Sequence, residues 1–185
     1  MSEAKGMGII MNKKIEYKAR KAYELAYKYE AEWGGCSQCT IRALQEVYDE
    51  EKSEVFKALG SFAAGGAREC DGICGVYAAG MYFIGTKFGR EFKDIGKDPN
   101  DPKASKKHTE QLILVKKLHE KFIDAYGTII CHEIHRKLYG RPYYLADKEE
   151  LNKFYQAGGH KWGCTSVCGN GAKWTVEIIE EGCIY

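Results

Sequence analysis

Apolar residues recur along most of the chain at the spacing of an amphipathic helix. Between residues 13 and 33 they fall on one side of a helical period, which predicts a helix with one buried face. The same pattern predicts further helices along the chain, several of them followed by a glycine that ends the helix. The predicted helices cover residues 13–33, 37–48, 54–59, 72–88, 105–126, 131–139, 148–156 and 174–181.

No segment alternates apolar and polar residues as a half-buried strand would, and no internal repeat is present. The glycine- and proline-containing stretches "AAGGARECDG", "GKDPNDPK" and "AGGHKWGC" are predicted to be loops. We therefore predict an all-α fold, a single-domain helical bundle of about six to eight helices over residues 1–185. Residues 1–12 are expected to form a flexible N-terminal tail.

Residues 105–126 carry the clearest helical pattern, and Gly127 follows them as an end signal. One face of this helix is predicted to be buried. Its apolar residues are Leu112, Val115, Leu118, Phe122 and Ala125.

The charge pattern argues against two classes of partner. The formal net charge is +2 and both signs are mixed along the chain, so neither nucleic acid nor an anionic membrane surface is an expected partner. The longest uncharged stretch, residues 72–86, is shorter than the ~20 residues that span a bilayer. The start of the chain has no apolar run resembling a signal peptide. We expect a cytoplasmic protein without membrane insertion.

Eight cysteines are a large number for a cytoplasmic chain. Because reducing compartments disfavour structural disulfides, such chains more often bind metal or carry out redox chemistry. Cys183 stands alone and is interpreted as a small hydrophobic residue. The other seven fall in four places: Cys36 with Cys39, Cys70 with Cys74, Cys131, and Cys164 with Cys168.

Each of these four places lies at a predicted loop-to-helix junction. The partial positive charge and free amides of a helix N-terminus lower the pKa of a thiol and favour the thiolate, which is both metal ligand and nucleophile. Spacings of three and four residues place both members of a pair on one helical face. Each pair could therefore direct its sulfurs at one centre.

The spacing between the four places favours some centres over others. Structural zinc sites usually combine two tight cysteine knuckles, and they remain an alternative here. Iron–sulfur clusters accept thiolates from scattered helices and need a dry, glycine-lined pocket, which this sequence offers. Covalent haem is not expected, because Thr40 stands where C-x-x-C-H needs histidine. A thiol–disulfide oxidoreductase using Cys36 and Cys39 is a further alternative.

The segment "CHEIH", residues 131–135, resembles a metalloprotease motif but has one residue too few between its histidines. Cys131, His132 and His135 could chelate a metal in part. The favoured interpretation is that both histidines are solvated or hydrogen-bonded helix residues. His160, four residues before Cys164, is the histidine most open to a functional role.

Four segments between residues 33 and 181 together resemble the C_GCAxxG_C_C family of cysteine-rich, redox-active proteins. The central segment departs from the family pattern in detail, with Ile73, Gly75 and Ala78 where the pattern has glycine, alanine and glycine. The four segments are "GGCSQCTIRALQEV" with Cys36, "GICGVYAAG" with Cys74, "GTIICHEIHRKLYG" with Cys131, and "GCTSVCGNGAKWTVEII" with Cys164.

The resemblance implies a largely helical, redox-active protein. The family is partly similar to the non-haem domain of split-Soret cytochromes, which implies an iron–sulfur cluster, a redox partner protein and a homodimer. An electron carrier is then expected rather than a catalyst with its own substrate. The implied ligands are Cys36, Cys74, Cys131 and Cys164, with Cys39, Cys70 and Cys168 as further candidates.

Overall fold

The computed structural model describes residues 2–95 and 102–182 of the chain. These residues form eight α-helices and no β-strand, which confirms the predicted all-α bundle. No helix among them combines the length and apolar character needed to cross a bilayer. The helices are α1 (Ser2–Glu32), α2 (Cys36–Val47), α3 (Ser53–Leu59), α4 (Gly75–Phe88), α5 (Pro102–Tyr126), α6 (Cys131–Tyr139), α7 (Lys148–Gln156) and α8 (Cys164–Gly182).

The helix boundaries differ from the prediction at both ends of the chain. Helix α1 begins at Ser2, so most of the expected N-terminal tail is helical, and the flexibility of that segment stays a prediction. Helix α8 begins at Cys164 instead of Trp174, after a π-helical turn over Gly159–Gly163. Most of the "GKDPNDPK" loop and Cys183 lie outside the described residues.

Glycines inside the first half of α8 are the reason that the predicted helix begins only at Trp174. A Cβ atom on Gly169 would lie 2.7 Å from Cε2 of Tyr23, and one on Gly171 would overlap Val76. These glycines therefore let α1 and α4 pack closely against α8. Their role is close packing and not chain reversal, and a local sequence pattern does not distinguish the two uses.

The core is built from helices that approach closely over small residues. Helix α1 packs along α8 and α2. Ala19, Ala22 and Ala26 on α1 are almost completely buried. Helix α4 contacts α2, α5 and α8, and a Cβ atom on Gly80 would lie 2.7 Å from Leu118 Cδ2 of α5. Interhelical distance depends on such side chains, so small residues here set how tightly the bundle closes.

The buried face of α5 is shifted from the predicted one. Leu114, Leu118, Phe122 and Tyr126, four residues apart, are the buried positions. Leu112 and Ala125 were predicted to face inward and are exposed, which makes that part of the prediction wrong. The reason is that both lie on α5 away from α4 and α8, the two helices that cover it.

Backbone hydrogen bonds join the segment before α4 to the start of α6. The amide of Cys74 donates to the carbonyl of Ile129 at 2.7 Å, and the amide of Cys131 donates to the carbonyl of Gly72 at 3.0 Å. Ile73 and Ile130 form an isolated antiparallel bridge between the same segments. Two cysteine-bearing segments far apart in sequence are thus fixed side by side by main-chain atoms.

Truncation of Leu118 to alanine is expected to lower the free energy of unfolding by about 2–5 kcal/mol, because it empties a fully buried position between α5 and α4. The matched control is Leu112→Ala on the same helix, where the side chain is 51% exposed. That change should cost less than about 0.5 kcal/mol. Denaturant unfolding of the metal-free protein measures both, and equal costs would contradict the placement of α5.

Candidate metal centre

Four helices begin at, or immediately after, a cysteine. Cys36, Cys131 and Cys164 are the first residues of α2, α6 and α8, and Cys74 is the N-cap residue of α4. The predicted placement of these cysteines at helix starts is therefore confirmed.

These same four cysteines line one cavity of about 470 Å³. The volume falls in the range of small-molecule and cofactor sites, ~300–1,000 Å³. The wall is apolar over much of its area, and exposed Trp33, Arg68 and Tyr155 lie where the cavity reaches the surface. Cys39, Cys70 and Cys168 do not line it. The four sulfurs are thus gathered around one space, while their role as ligands stays a prediction.

Backbone amides point at two of the sulfurs. The N–H of Ala64 faces the thiol of Cys36 and lowers its pKa. The N–H groups of Val76 and Tyr77, in the first turn of α4, do the same for Cys74. Amides aimed at sulfur stabilise the thiolate form and are a feature of protein-bound metal–thiolate centres.

Burial nevertheless dominates the ionisation of these thiols. Loss of solvation raises the pKa of Cys74 to about 11, and it raises the pKa of Cys36 and Cys164 above the ordinary value. The expectation that the helix N-termini produce thiolates is therefore wrong for the metal-free protein, because desolvation outweighs the helix dipole and the amides. A bound cation would reverse the balance, since it supplies the missing positive charge.

A second group of donors lies against the cavity wall. The donor atoms of Cys70, Cys131 and His135 all lie within 4.8 Å of one another, and all three residues are buried. The interaction between the two thiols lowers the pKa of Cys70 and raises that of Cys131. His135 Nε2 also lies 3.7 Å from the sulfur of Cys164.

The two histidines of α6 have different surroundings. His132 Nδ1 lies 3.0 Å from the carbonyl oxygen of Cys70, so its interpretation as a hydrogen-bonded helix residue is confirmed. His135 is 1% exposed and lines the cavity, and its Nε2 lies 3.9 Å from the sulfur of Cys131 and 3.7 Å from that of Cys164, so it is hydrogen-bonded and not solvated. Burial lowers the pKa of His135 to about 4, which keeps the imidazole neutral at physiological pH.

The remaining buried cysteines surround a carboxyl group instead of the cavity. Glu30 of α1 is 2% exposed, and the neighbouring thiols of Cys39 and Cys168 act to lower the pKa of its carboxyl group. Its Oε1 lies 3.5 Å from Nε2 of His160, which lines the same cavity. Burial raises the pKa of Glu30 to about 7. The thiols of Cys39 and Cys168 therefore lie beside a buried carboxyl group.

Sequence inspection missed Glu30 and undervalued His135, although both carry a signal. Glu30 lies four residues after Ala26, in register with the buried stripe of α1, where a carboxylate is costly. His135 lies four residues after Cys131, which places both side chains on the same face of α6.

Glu30 should make the stability of the metal-free protein fall as pH rises. Its pKa is higher in the folded chain than the ordinary 4.5, so its contribution is fully present below pH 4.5 and lost as pH rises through about 7. The shift corresponds to about 3 kcal/mol. In Glu30→Gln, the free energy of unfolding should fall by about 3 kcal/mol less than in the wild type over this pH window. Denaturant titrations at several pH values measure the difference. Wild-type and variant curves that run parallel would contradict the burial of the acid.

Comparison with known proteins agrees with the chemistry of this site. Residues 35–178 match the model of the family described as "Putative redox-active protein (C_GCAxxG_C_C)". The match spans all four cysteines of the cavity. No curated protein and no solved structure is significantly similar to the chain. The chain belongs to the C_GCAxxG_C_C family of redox-active proteins.

Proposed function

We propose that the protein transfers electrons through an iron–sulfur cluster held by Cys36, Cys74, Cys131 and Cys164. The observation that carries this proposal is the convergence of four cysteines, from four different helix starts, on one cavity. Iron–sulfur clusters are held by four thiolates, and the thiolates need not be neighbours in sequence. A bound cluster would supply one-electron redox chemistry, which the side chains themselves lack.

The spread of the four sulfurs favours a cluster over a single ion. A tetrahedral zinc site with Zn–S distances of about 2.3 Å needs its sulfurs about 3.8 Å apart. Among the described residues, no three of these four sulfurs lie within 4.8 Å of one another. A polynuclear centre accepts sulfurs at such separations, whereas one zinc ion would require these sulfurs to move closer together. Structural zinc at these four cysteines is therefore the less well supported alternative.

The protein would contribute hydrogen bonds and a dry wall. The amides of Ala64, Val76 and Tyr77 stabilise thiolate charge on Cys36 and Cys74. Apolar residues of the wall exclude water, which raises the energetic effect of each hydrogen bond on the potential of the centre. These wall residues are Val76, Ile134, Leu145, Leu151 and Val167.

Electron exchange would take place where the cavity reaches the surface. Trp33 is 61% exposed and Tyr155 is 40% exposed, and both line the cavity together with Arg68. A redox partner protein would approach this face, because it offers the shortest route to the four cysteines. The homodimer and the cytoplasmic location both stay predictions.

Thiol–disulfide exchange by Cys36 and Cys39 has weaker support. Cys36 lines the cavity, whereas Cys39 is 2% exposed and its thiol donates to the carbonyl of Gly34 at 3.1 Å. Burial raises the pKa of both thiols, so neither is an activated nucleophile in the metal-free protein. No disulfide joins any of the cysteines that the structure describes.

Cys74→Ser is expected to remove most of the iron and the visible absorption of protein purified without oxygen. Cys74 is chosen because its sulfur lines the cavity and receives two backbone amides. Iron content, sulfide content and the visible spectrum measure the effect, and circular dichroism verifies that the helices are intact.

The matched control is Cys39→Ser, which changes a buried cysteine outside the cavity by the same single atom. This variant should keep its iron. Full iron in Cys74→Ser, or equal loss in both variants, would remove Cys74 from the proposed ligand set.

A further inference from the structure

We propose that Cys70, Cys131 and His135 form a second metal site, which binds one thiophilic divalent cation such as zinc or ferrous iron. Cys70 and His135 are not among the four cysteines proposed above as cluster ligands. The site shares Cys131 with the proposed cluster, and Cys70 and His135 are its own donors.

The distances fit a single ion. Zn–S and Zn–N bonds of about 2.3 and 2.0 Å place tetrahedral sulfur and nitrogen ligands about 3.6 Å apart. His135 Nε2 lies 3.9 Å from Cys131 Sγ, and all three donor atoms lie within 4.8 Å of one another. A small inward movement of side chains is therefore enough to close these donors on a cation.

The imidazole of His135 is prepared for this role. Its ring stacks on Phe154 with centroids 5.3 Å apart, and the rings of Tyr139 and Tyr143 meet it edge-on. Nδ1 lies near the backbone of Tyr143 without a hydrogen bond of normal geometry. The ring is thus held in place by packing, while the neutral Nε2 faces sulfur atoms and can act as a ligand.

Cys70 is held in a conformation that non-glycine residues rarely adopt. Its φ is +63°, and Arg68, two residues earlier, is also in the left-handed region. Hydrogen bonds fix this turn: the Cys70 amide donates to the carbonyl of Ala64 at 2.9 Å, and the His132 amide donates to the carbonyl of Cys70 at 2.9 Å. Strained backbone of this kind occurs where the surrounding structure holds a residue in place, often at functional sites.

The two sites would share one thiolate. Cys131 belongs to both donor groups, whereas Cys36 and Cys74 line only the cavity and Cys70 lies only in the second group. Because Cys131 and His135 line the cavity, an ion bound here would have its fourth coordination position on the cavity side, where Cys164 Sγ lies 3.7 Å from His135 Nε2. Three protein ligands and one position open to the cavity resemble the arrangement of zinc sites that bind an exchangeable ligand.

The test uses the full chain with Cys36→Ser and Cys74→Ser, stripped of metal and titrated with Co²⁺ without oxygen. This double variant is the parent to which further changes are added. It lacks two of the proposed cluster ligands but keeps Cys70, Cys131 and His135. We expect one Co²⁺ per chain, with a sulfur-to-cobalt charge-transfer band and the intense visible absorption of tetrahedral cobalt. Adding Cys70→Ser or His135→Ala should weaken Co²⁺ binding at least ~10-fold.

Two matched changes serve as controls in the same parent. Cys39→Ser alters a buried thiol outside the donor group, and His160→Gln alters another histidine that lines the cavity. Both should bind Co²⁺ as the parent does. A parent that binds no Co²⁺, or a Cys70→Ser variant with unchanged affinity, would overturn the second site.

A measurement on the wild-type chain covers the case in which the parent fails to fold. Zinc X-ray absorption should show nitrogen in the first coordination shell, and His135→Ala should remove it. A shell of sulfur alone would overturn the proposal. Iron and sulfide content test the cluster separately. A negative result for one site therefore leaves the proposal for the other site intact.

Discussion

The centre depends on the main-chain hydrogen bonds that join residues 70–74 to residues 129–132. These bonds hold Cys74 beside the start of α6, and they hold the carbonyl of Cys70 against the amide of His132. Because the contacts are made by backbone atoms, the main-chain positions of these cysteines do not depend on side-chain packing. Helices α2 and α8 then add Cys36 and Cys164 by packing against α1 and α4. A change that separates the two segments would open both donor groups at once.

Burial and ionisation oppose each other at this site, and binding of a metal would reconcile them. The thiols that line the cavity are too buried to ionise at neutral pH, although helix starts and amides favour their thiolate forms. A cation or cluster would release their protons on binding and would use the amide hydrogen bonds already in place. The same environment argues against free thiolate chemistry, which needs a low pKa and access to solvent. The fold is therefore suited to hold metal more than to attack a substrate with a thiol.

Local sequence features were enough to place these four cysteines at loop-to-helix junctions, because glycine-rich segments precede them. The division of the seven described cysteines into different surroundings was not predictable in the same way. Cys39 and Cys36 are three residues apart, yet one faces Glu30 and the other faces the cavity. That difference arises from contacts with α1 and α8, which no local pattern encodes. The failure at Leu112 has the same origin, since the buried face of α5 is set by the helices that cover it.

The most direct test of the central claim is the iron and acid-labile sulfide content of wild-type protein purified without oxygen, read with its visible spectrum. An iron–sulfur cluster in the cavity predicts a brown protein with nearly equal iron and sulfide, and loss of both colour and sulfide on treatment with acid. A colourless protein that takes up neither iron nor sulfide when both are supplied under reducing conditions would contradict it.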